Sequence, residues 1–404
     1  MQVLCTTLGS PSHGRAQLPL LRALAEAGHQ VLVVTTDVLA PVFRDDDVEV
    51  RAVLPEFDPT AGLAPYLADL QATTDEAERM AELNRLMLRS VAGPGVKTHL
   101  DILLPLARDF RPDLILRDGM DMGAVLTAEL LGVPQLPTPS GFSNILDPVQ
   151  VLPQLNERRA ELDLPVHDDP LSVVAHGRVD YVPSAFSFAQ HLPQTWAYRQ
   201  TVDVERRGVL PEWAAELPTD RPLVYAAIGT ALPVLHARNG GRSVPLPVEM
   251  PDGSESLRTI TEALAEFDDC TVVVSTSGMS LDTTGLPDHV RVVERVPQPL
   301  LLESVDLFLT HGGFNSIREA MRTATPLAVL PHFGDQYANA DRVEELGLGR
   351  HLTDRSAAGI ADTCRKLLAD PAPRSRARSA QLAMLTLPGV EHAVGDLEGL
   401  AGSR

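Results

Sequence analysis

Short apolar runs alternate with amphipathic stretches along this chain, and the alternation starts twice. The first run is QVLCTTL (2–8), which ends at Gly9. From Arg15 to Ala27, Leu18, Leu21, Leu24 and Ala25 fall on one face of a helix. Gly28 stops that helix, and VLVVTT (31–36) reads as a buried strand. DLILRD (113–118) is a further strand, and GAVLTAELLGVP (123–134) is a helix closed by Gly132 and Pro134.

The same grammar resumes after a proline-rich region at 211–222. PLVYAAIGT (222–230), CTVVVSTSG (270–278), VRVVERV (290–296), VDLFLTHGG (305–313) and PLAVLP (326–331) predict strands. SLRTITEALAEF (256–267) and SIREAMRTA (316–324) predict helices between them. Strands alternating with helices predict parallel α/β sheets covered on both faces. We expect two doubly wound domains, residues 1–210 and 211–384, with the linker near 205–220. Residues 236–253 read as a flexible loop. The stretch from Pro55 to Val96 reads as irregular helix; with 139–200 it is the candidate binding wall.

At 404 residues, two or three domains fit a prior of about 150 residues each. The hydrophobic fraction of 44% excludes wholesale disorder. Against 54 acidic residues stand only 34 Lys and Arg, a net charge of −20 that repels nucleic-acid backbones. A phosphate ligand must then be held by a local device such as a helix N-terminus. No basic leader and no run of about 18 apolar residues is present, so no membrane role is expected. Cys5, Cys270 and Cys364 form neither a disulfide framework nor a metal pair, which predicts reduced thiols and a cytoplasmic protein.

Chemistry is densest between Arg295 and Gln336. In THGGFNSIRE (310–319) a strand ends, two glycines allow close backbone approach, and a helix begins near Ser316. Free N–H groups there, with His311, Asn315 and Ser316, describe an anion site suited to a diphosphate. The plainer reading is a capping box, Ser316 to Glu319, with a packed His311. Gln298, Asp335, Gln336 and the Gly229-Thr230 turn also fall at carboxyl ends of strands, where open α/β sheets bind ligands.

In the first half, His13 lies in a Gly9–Gly14 loop after the first strand, and Asp118 ends the strand 113–118. A histidine near its ordinary pKa can remove a hydroxyl proton, and a carboxylate can fix its tautomer. The plainer reading is a loop histidine and a helix-capping aspartate. Asp121 is a decoy three residues on. Asp45-Asp46-Asp47 reads as a solvated loop rather than a metal site, and His29 as a structural cation at a helix end. His332 fits the acceptor side or the core equally. Met80 and Met87 are core candidates.

Taken together, V-P-Q-x-x-L-L (296–302), T-H-G-G-F-N-S-x-x-E-A, T-P-x-x-x-x-P, D-Q and A-N-A resemble the nucleotide-sugar signature of the family-1 glycosyltransferases. S-P-S-H-G at 10–14, P-D-L-I-L-R-D at 112–118 and L-G-L-G-R-H-L at 346–352 agree with it. The resemblance is nearest to the bacterial branch acting on macrolides, aromatic polyketides and enediynes. It implies the GT-B fold, two Rossmann-like domains facing across a cleft, with residues 385–404 forming a helix that returns to the N-terminal domain. It implies that His311, Gly312, Gly313, Asn315, Ser316 and the Gly229-Thr230 turn contact a donor diphosphate. Val296 and Gln298 would sit at the base, Glu319 at the ribose, and Asp335 and Gln336 at the sugar. Arg295 stands where the family usually stacks a tryptophan on the base; a guanidinium stacks with less apolar burial.

The reaction implied is an inverting transfer from a TDP- or UDP-sugar to a small hydrophobic acceptor, with His13 as base and Asp118 as its partner. No metal and no other cofactor is expected, and a homodimer is allowed. A sugar-nucleotide 2-epimerase of the same architecture, or a non-catalytic auxiliary protein, are the alternatives. Neither would need the dyad intact.

Overall fold

The computed structural model describes residues 1–56, 72, 78–79, 82–83, 85–87, 91–193, 196–199, 208–232 and 252–402. The described residues fall into two compact units. One gathers those within Met1–Thr201 and Leu387–Arg404; the other, those within Val202–Val244 and Met250–Thr386. The loop expected at 236–253 lies outside the described residues up to 251. At its end Asp252 accepts a hydrogen bond from the Ser254 N–H at 2.9 Å, capping the helix that starts at Gly253. Within 55–96, the described residues at 78–79, 82–83 and 85–87 are helical. Met80 lies outside the described residues.

The first unit is built on a five-stranded sheet in the order β3-β2-β1-β4-β5. Its strands are β1 (Gln2–Thr6), β2 (Gln30–Thr35), β3 (Glu49–Ala52), β4 (Leu114–Arg117) and β5 (Gln135–Pro137). All pairs are parallel, with Val3 opposite both Val31 and Leu114. Helix α1 (Pro11–Glu26) covers one face: Leu18, Leu20, Leu21 and Leu24 share a core with Cys5, Leu114 and Leu116. Helices α2 (Val96–Phe110) and α3 (Met122–Leu131) cover the other: Leu103, Ala107, Ala124 and Ala128 pack with Leu4 and Ile115. That division follows from the two-residue period of a strand, which sends Leu116 and Ile115 to opposite faces.

Two local expectations change. Helix α1 begins at Pro11, not near Arg15, because proline suits the first helical position with its preset φ. His13 therefore sits in the first helical turn rather than in a loop. Asp46 of the triple-aspartate segment pairs with Arg22 and its side chain is only 2% exposed, so that carboxylate is paired and shielded rather than solvated. The chain's last helix, Ala393–Gly402, belongs to this first unit. Val390, Ala393 and Leu397 join the α1 core, and Tyr198 Oη donates to Asp396 at 2.8 Å. His29 stands between the N-terminal amine (2.9 Å) and Glu398 (3.1 Å).

The second unit has a six-stranded parallel sheet. A two-stranded pair in the first unit takes the labels β6 (Val179–Asp180) and β7 (Trp196–Ala197). The six strands are β8 (Leu223–Ala227), β9 (Thr271–Ser275), β10 (Val290–Val293), β11 (Leu307–Thr310), β12 (Leu327–Val329) and β13 (Gly349–His351). They run β10-β9-β8-β11-β12-β13. β8, β9 and β11 are buried throughout, as the unbroken apolar runs require. The helix after β11 spans Phe314–Thr323, with Gly313 as its N-cap. It starts two residues earlier than Ser316, so the expected capping box is absent.

Candidate functional site

Both candidate sites occupy the same topological position in their units. The chain runs from β1 outward to β2 and β3, then returns to β4 on the other side of β1. Where strand order reverses like this, the following loops part and leave a crevice at the carboxyl edge. His13 follows β1, and Asp118 follows β4. In the second unit the reversal lies between β8 and β11; Gly229 follows β8, and His311 follows β11.

In the first unit His13 Nδ1 stands 2.7 Å from Asp118 Oδ2. Asp118 is fully buried, while the His13 side chain is 17% exposed. The carboxylate is itself fixed: its Oδ1 accepts from the Met120 N–H at 3.0 Å, and its backbone N–H donates to the Thr6 carbonyl at 3.0 Å. In a neutral His13 this contact has Nδ1–H donating to the carboxylate, which leaves Nε2 as the acceptor nitrogen. Gly9, at φ +82°, lies against the ring; a Cβ there would stand 3.1 Å from His13 Cε1.

Asp121 takes the cap that the plainer reading gave to Asp118. Its Oδ1 accepts from the Ala124 N–H at 3.0 Å, and His99 Nδ1 stands 3.6 Å away. Burial pushes the Asp121 carboxyl up, but His99, Thr6 and the Ala124 N–H together hold it below its ordinary value. Burial pushes His99 down, yet Asp121 holds it above its ordinary value.

In the second unit the His311 ring is clasped by glycines. A Cβ on Gly229 (φ +73°) would stand 2.3 Å from Cε1, and one on Gly313 would stand 2.4 Å from Nε2. Neither position admits a side chain without moving the ring. Burial pushes the imidazole down to about 4, against a hydrogen bond with the Ala227 backbone, so it is neutral near pH 7. Gly312, at φ +86°, lets the turn press on β12: a Cβ would stand 2.7 Å from Val329 Cγ1.

Around this turn the predicted donor residues bond to one another. Gln298 Nε2 donates to Ser316 Oγ at 3.1 Å and to Glu319 Oε2 at 2.7 Å. Asn315 accepts from Arg318. Asp335 precedes the helix Gln336–Glu345 and accepts from Asn339 Nδ2 at 2.7 Å. Gln336 is buried, its Oε1 taking the His332 and Phe333 N–H groups at 2.8 and 3.2 Å, so this oxygen shapes the loop. Thr230 and Val296 are half-buried. The Arg295 side chain is 77% exposed, with Glu294 at 3.9 Å.

His332 is packed inside the unit, its Nε2 3.0 Å from Ser256 Oγ; burial, His311 and Arg355 push it down to about 3. Asn339 escaped the sequence reading of roles, although its A-N-A motif was visible. Its amide also donates to the Gly312 carbonyl at 3.0 Å, tying the β11 turn to the Asp335 loop. Among the described residues no group of three or more His, Cys, Asp or Glu could hold a metal ion. No helix among them is long and apolar enough to cross a membrane.

Two parallel-sheet α/β units of this kind make the GT-B fold, and comparison with known proteins gives the class as glycosyltransferase. The N-terminal and C-terminal domain profiles of the erythromycin biosynthesis protein CIII-like family match residues 22–229 and 258–400. The chain belongs to this family. NDP-glycosyltransferase YjiC of Bacillus subtilis is 26% identical over 96% of this chain and 95% of its own. The 3-alpha-mycarosylerythronolide B desosaminyl transferase of Saccharopolyspora erythraea is 25% identical over 100% and 99%. Among solved structures, the spinosyn rhamnosyltransferase SpnG complexed with thymidine diphosphate superposes with a TM-score of 0.76 at 22% identity, covering 98% of this chain and 100% of SpnG. SnogD from Streptomyces nogalater gives 0.69 at 23%, covering 100% and 99%.

Proposed function

We propose that this glycosyltransferase moves a sugar, with inversion and without a metal, from a TDP- or UDP-sugar to a hydroxyl of a small hydrophobic natural product. The observation that carries the reading is the 2.7 Å contact between His13 and buried Asp118. His13 Nε2 accepts the acceptor hydroxyl proton. The freed oxygen forms a bond to the anomeric carbon as the bond to the diphosphate oxygen breaks. The electron pair leaves with the nucleoside diphosphate, and Asp118 stabilises the imidazolium that remains. On the donor side, the N-terminus of the Phe314–Thr323 helix and His311 take up the charge growing on the leaving diphosphate. Gln298 and Glu319 serve the nucleoside, and Asp335 and Gln336 the sugar. The thymidine diphosphate in SpnG and the macrolide named in the desosaminyl transferase favour TDP and a polyketide acceptor. An epimerase or an auxiliary protein would leave the His13–Asp118 pair without a task.

The test incubates the purified protein with TDP- and UDP-glucose, chelator and a panel of macrolide and anthracyclinone acceptors. Product is read by mass spectrometry, and anomeric configuration by NMR. We expect an inverted glycoside, unaffected by chelator. His13→Ala and Asp118→Asn should each lower kcat by about 10²–10⁴-fold, the usual worth of general-base catalysis, while TDP affinity holds. Wild-type turnover in both variants would overturn the dyad, and loss of activity in chelator would overturn metal independence.

A further inference from the structure

Arg117 is a charged residue at the end of the otherwise apolar strand β4, and such residues are rarely buried without a specific reason. Here the burial is complete. The strand's two-residue period sends Arg117 to the α2/α3 face with Ile115, while Asp118 follows Leu116 to the α1 face, where His13 waits. The guanidinium therefore approaches the Asp118 turn from behind. Its Nη1 donates to the carbonyls of Asp118 (3.2 Å) and Gly119 (3.1 Å). Its Nε donates to Gln135 Oε1 at 2.7 Å, and its Nη2 to the Val173 carbonyl at 3.1 Å. Gln135 is anchored in turn, its Nε2 donating to the same Val173 carbonyl at 3.0 Å. One rigid fork thus ties the last residues of β4 to β5 and to the 3₁₀ turn Pro170–Val174.

None of these four acceptors is a carboxylate, so the side chain is not there to close an ion pair. What it grips at this turn are the carbonyls of the two successive peptides that follow Asp118. We infer that Arg117 is a positioning residue that sets the direction of the Asp118 carboxylate toward His13. The inference rests on the assignment of Asp118 to the catalytic dyad. Burial pushes the guanidinium down to about 10, against Asp121 and Asp118, so it stays charged at neutral pH. Its charge also faces those two buried carboxylates, behind which stand His99 and His13. A planar five-donor fork holds such a turn as no other side chain can.

A double-mutant cycle tests this. Arg117→Met is measured in the wild-type and in the Asp118→Asn background, with thermal unfolding to confirm that each variant folds and TDP titration as a control. A misaimed catalytic group costs about 100-fold when it shifts by an ångström. Arg117→Met should therefore lower kcat about 10- to 100-fold in the wild type and less than about 3-fold in the Asp118→Asn background, with TDP affinity unchanged. Equal losses in the two backgrounds would overturn the inference and leave the dyad standing. Full turnover of Asp118→Asn itself would overturn the dyad and this inference with it. Should Arg117→Met not fold, Arg117→Lys takes its place in the cycle: it keeps the charge, loses the fork, and should show the same non-additive loss.

Discussion

The clasp of His311 by two glycines lets strain and collision be separated by mutation. Gly229→Ala places a methyl 2.3 Å from His311 Cε1, where ordinary contact begins near 3.4 Å, so the ring must move by about an ångström. The φ of +73° adds about 1–2 kcal/mol of backbone strain, and overpacking a buried ring adds about 1–3 kcal/mol. Stability should fall by about 2–5 kcal/mol. A ring displaced that far no longer meets a diphosphate oxygen, and a hydrogen bond to a charged group is worth about 1.5–3 kcal/mol. TDP should bind about 10- to 150-fold more weakly.

Two companions isolate the causes. Gly313→Ala meets His311 Nε2 at 2.4 Å but has an ordinary φ of −62°, so it brings collision without strain. Gly285→Ala, at φ +78° with nothing within 4 Å, brings strain without collision. Calorimetric titration with TDP and thermal unfolding of all three variants give the answer. Gly313→Ala should weaken TDP as Gly229→Ala does, and Gly285→Ala should lower stability alone. Wild-type TDP affinity in both Gly229→Ala and Gly313→Ala would refute the placing of His311 at the diphosphate. Equal weakening in Gly285→Ala would refute the collision argument.

Acid should destabilise the second unit before its carboxylates titrate. Unfolded His311 and His332 take a proton near 6.5, which the fold refuses until about 4 and about 3. Stability is then full above pH 6.5 and falls with pH, by about 3 kcal/mol for each ring at pH 4 and by about 5 for His332 only once pH 3 is reached, if each acted alone. His99, raised by Asp121, has the opposite sign and steadies the first unit below its folded pKa. Urea unfolding at pH 7, 5.5 and 4.5 checks the slope; a flat response in wild type would show that neither ring is buried neutral. Arg295→Trp should tighten TDP about 2- to 10-fold, since a stacked aromatic pair adds about 0.5–1.5 kcal/mol and the position is open to solvent. Unchanged affinity would mean that the base lies elsewhere.

The strands were legible because a strand buried on both faces must be apolar throughout, and LVYAA, TVVVS and LFLT allow little else. Helix starts were legible less well. Ser, Pro and Gly around His13 are turn residues by composition, yet Pro11 at the first helical position carries His13 into the helix. Ser316 and Glu319 have capping-box spacing, yet the cap falls on Gly313, and both side chains turn to Gln298 instead.

What the chain could not announce is which side chains meet across strands. Asp118 and Asp121 are three residues apart and chemically alike. Only the face each takes decides that one meets His13 and the other caps a helix beside His99. The same holds for Asn339, which reaches back 27 residues to the Gly312 carbonyl because β12 lies beside β11 in the sheet. Strand order is a property of the whole sheet, and no local spacing encodes it. The residues that carry charge or leave the backbone open were therefore visible in the sequence, while those that aim them, Asn339 and Arg117, became visible only once the strands had neighbours.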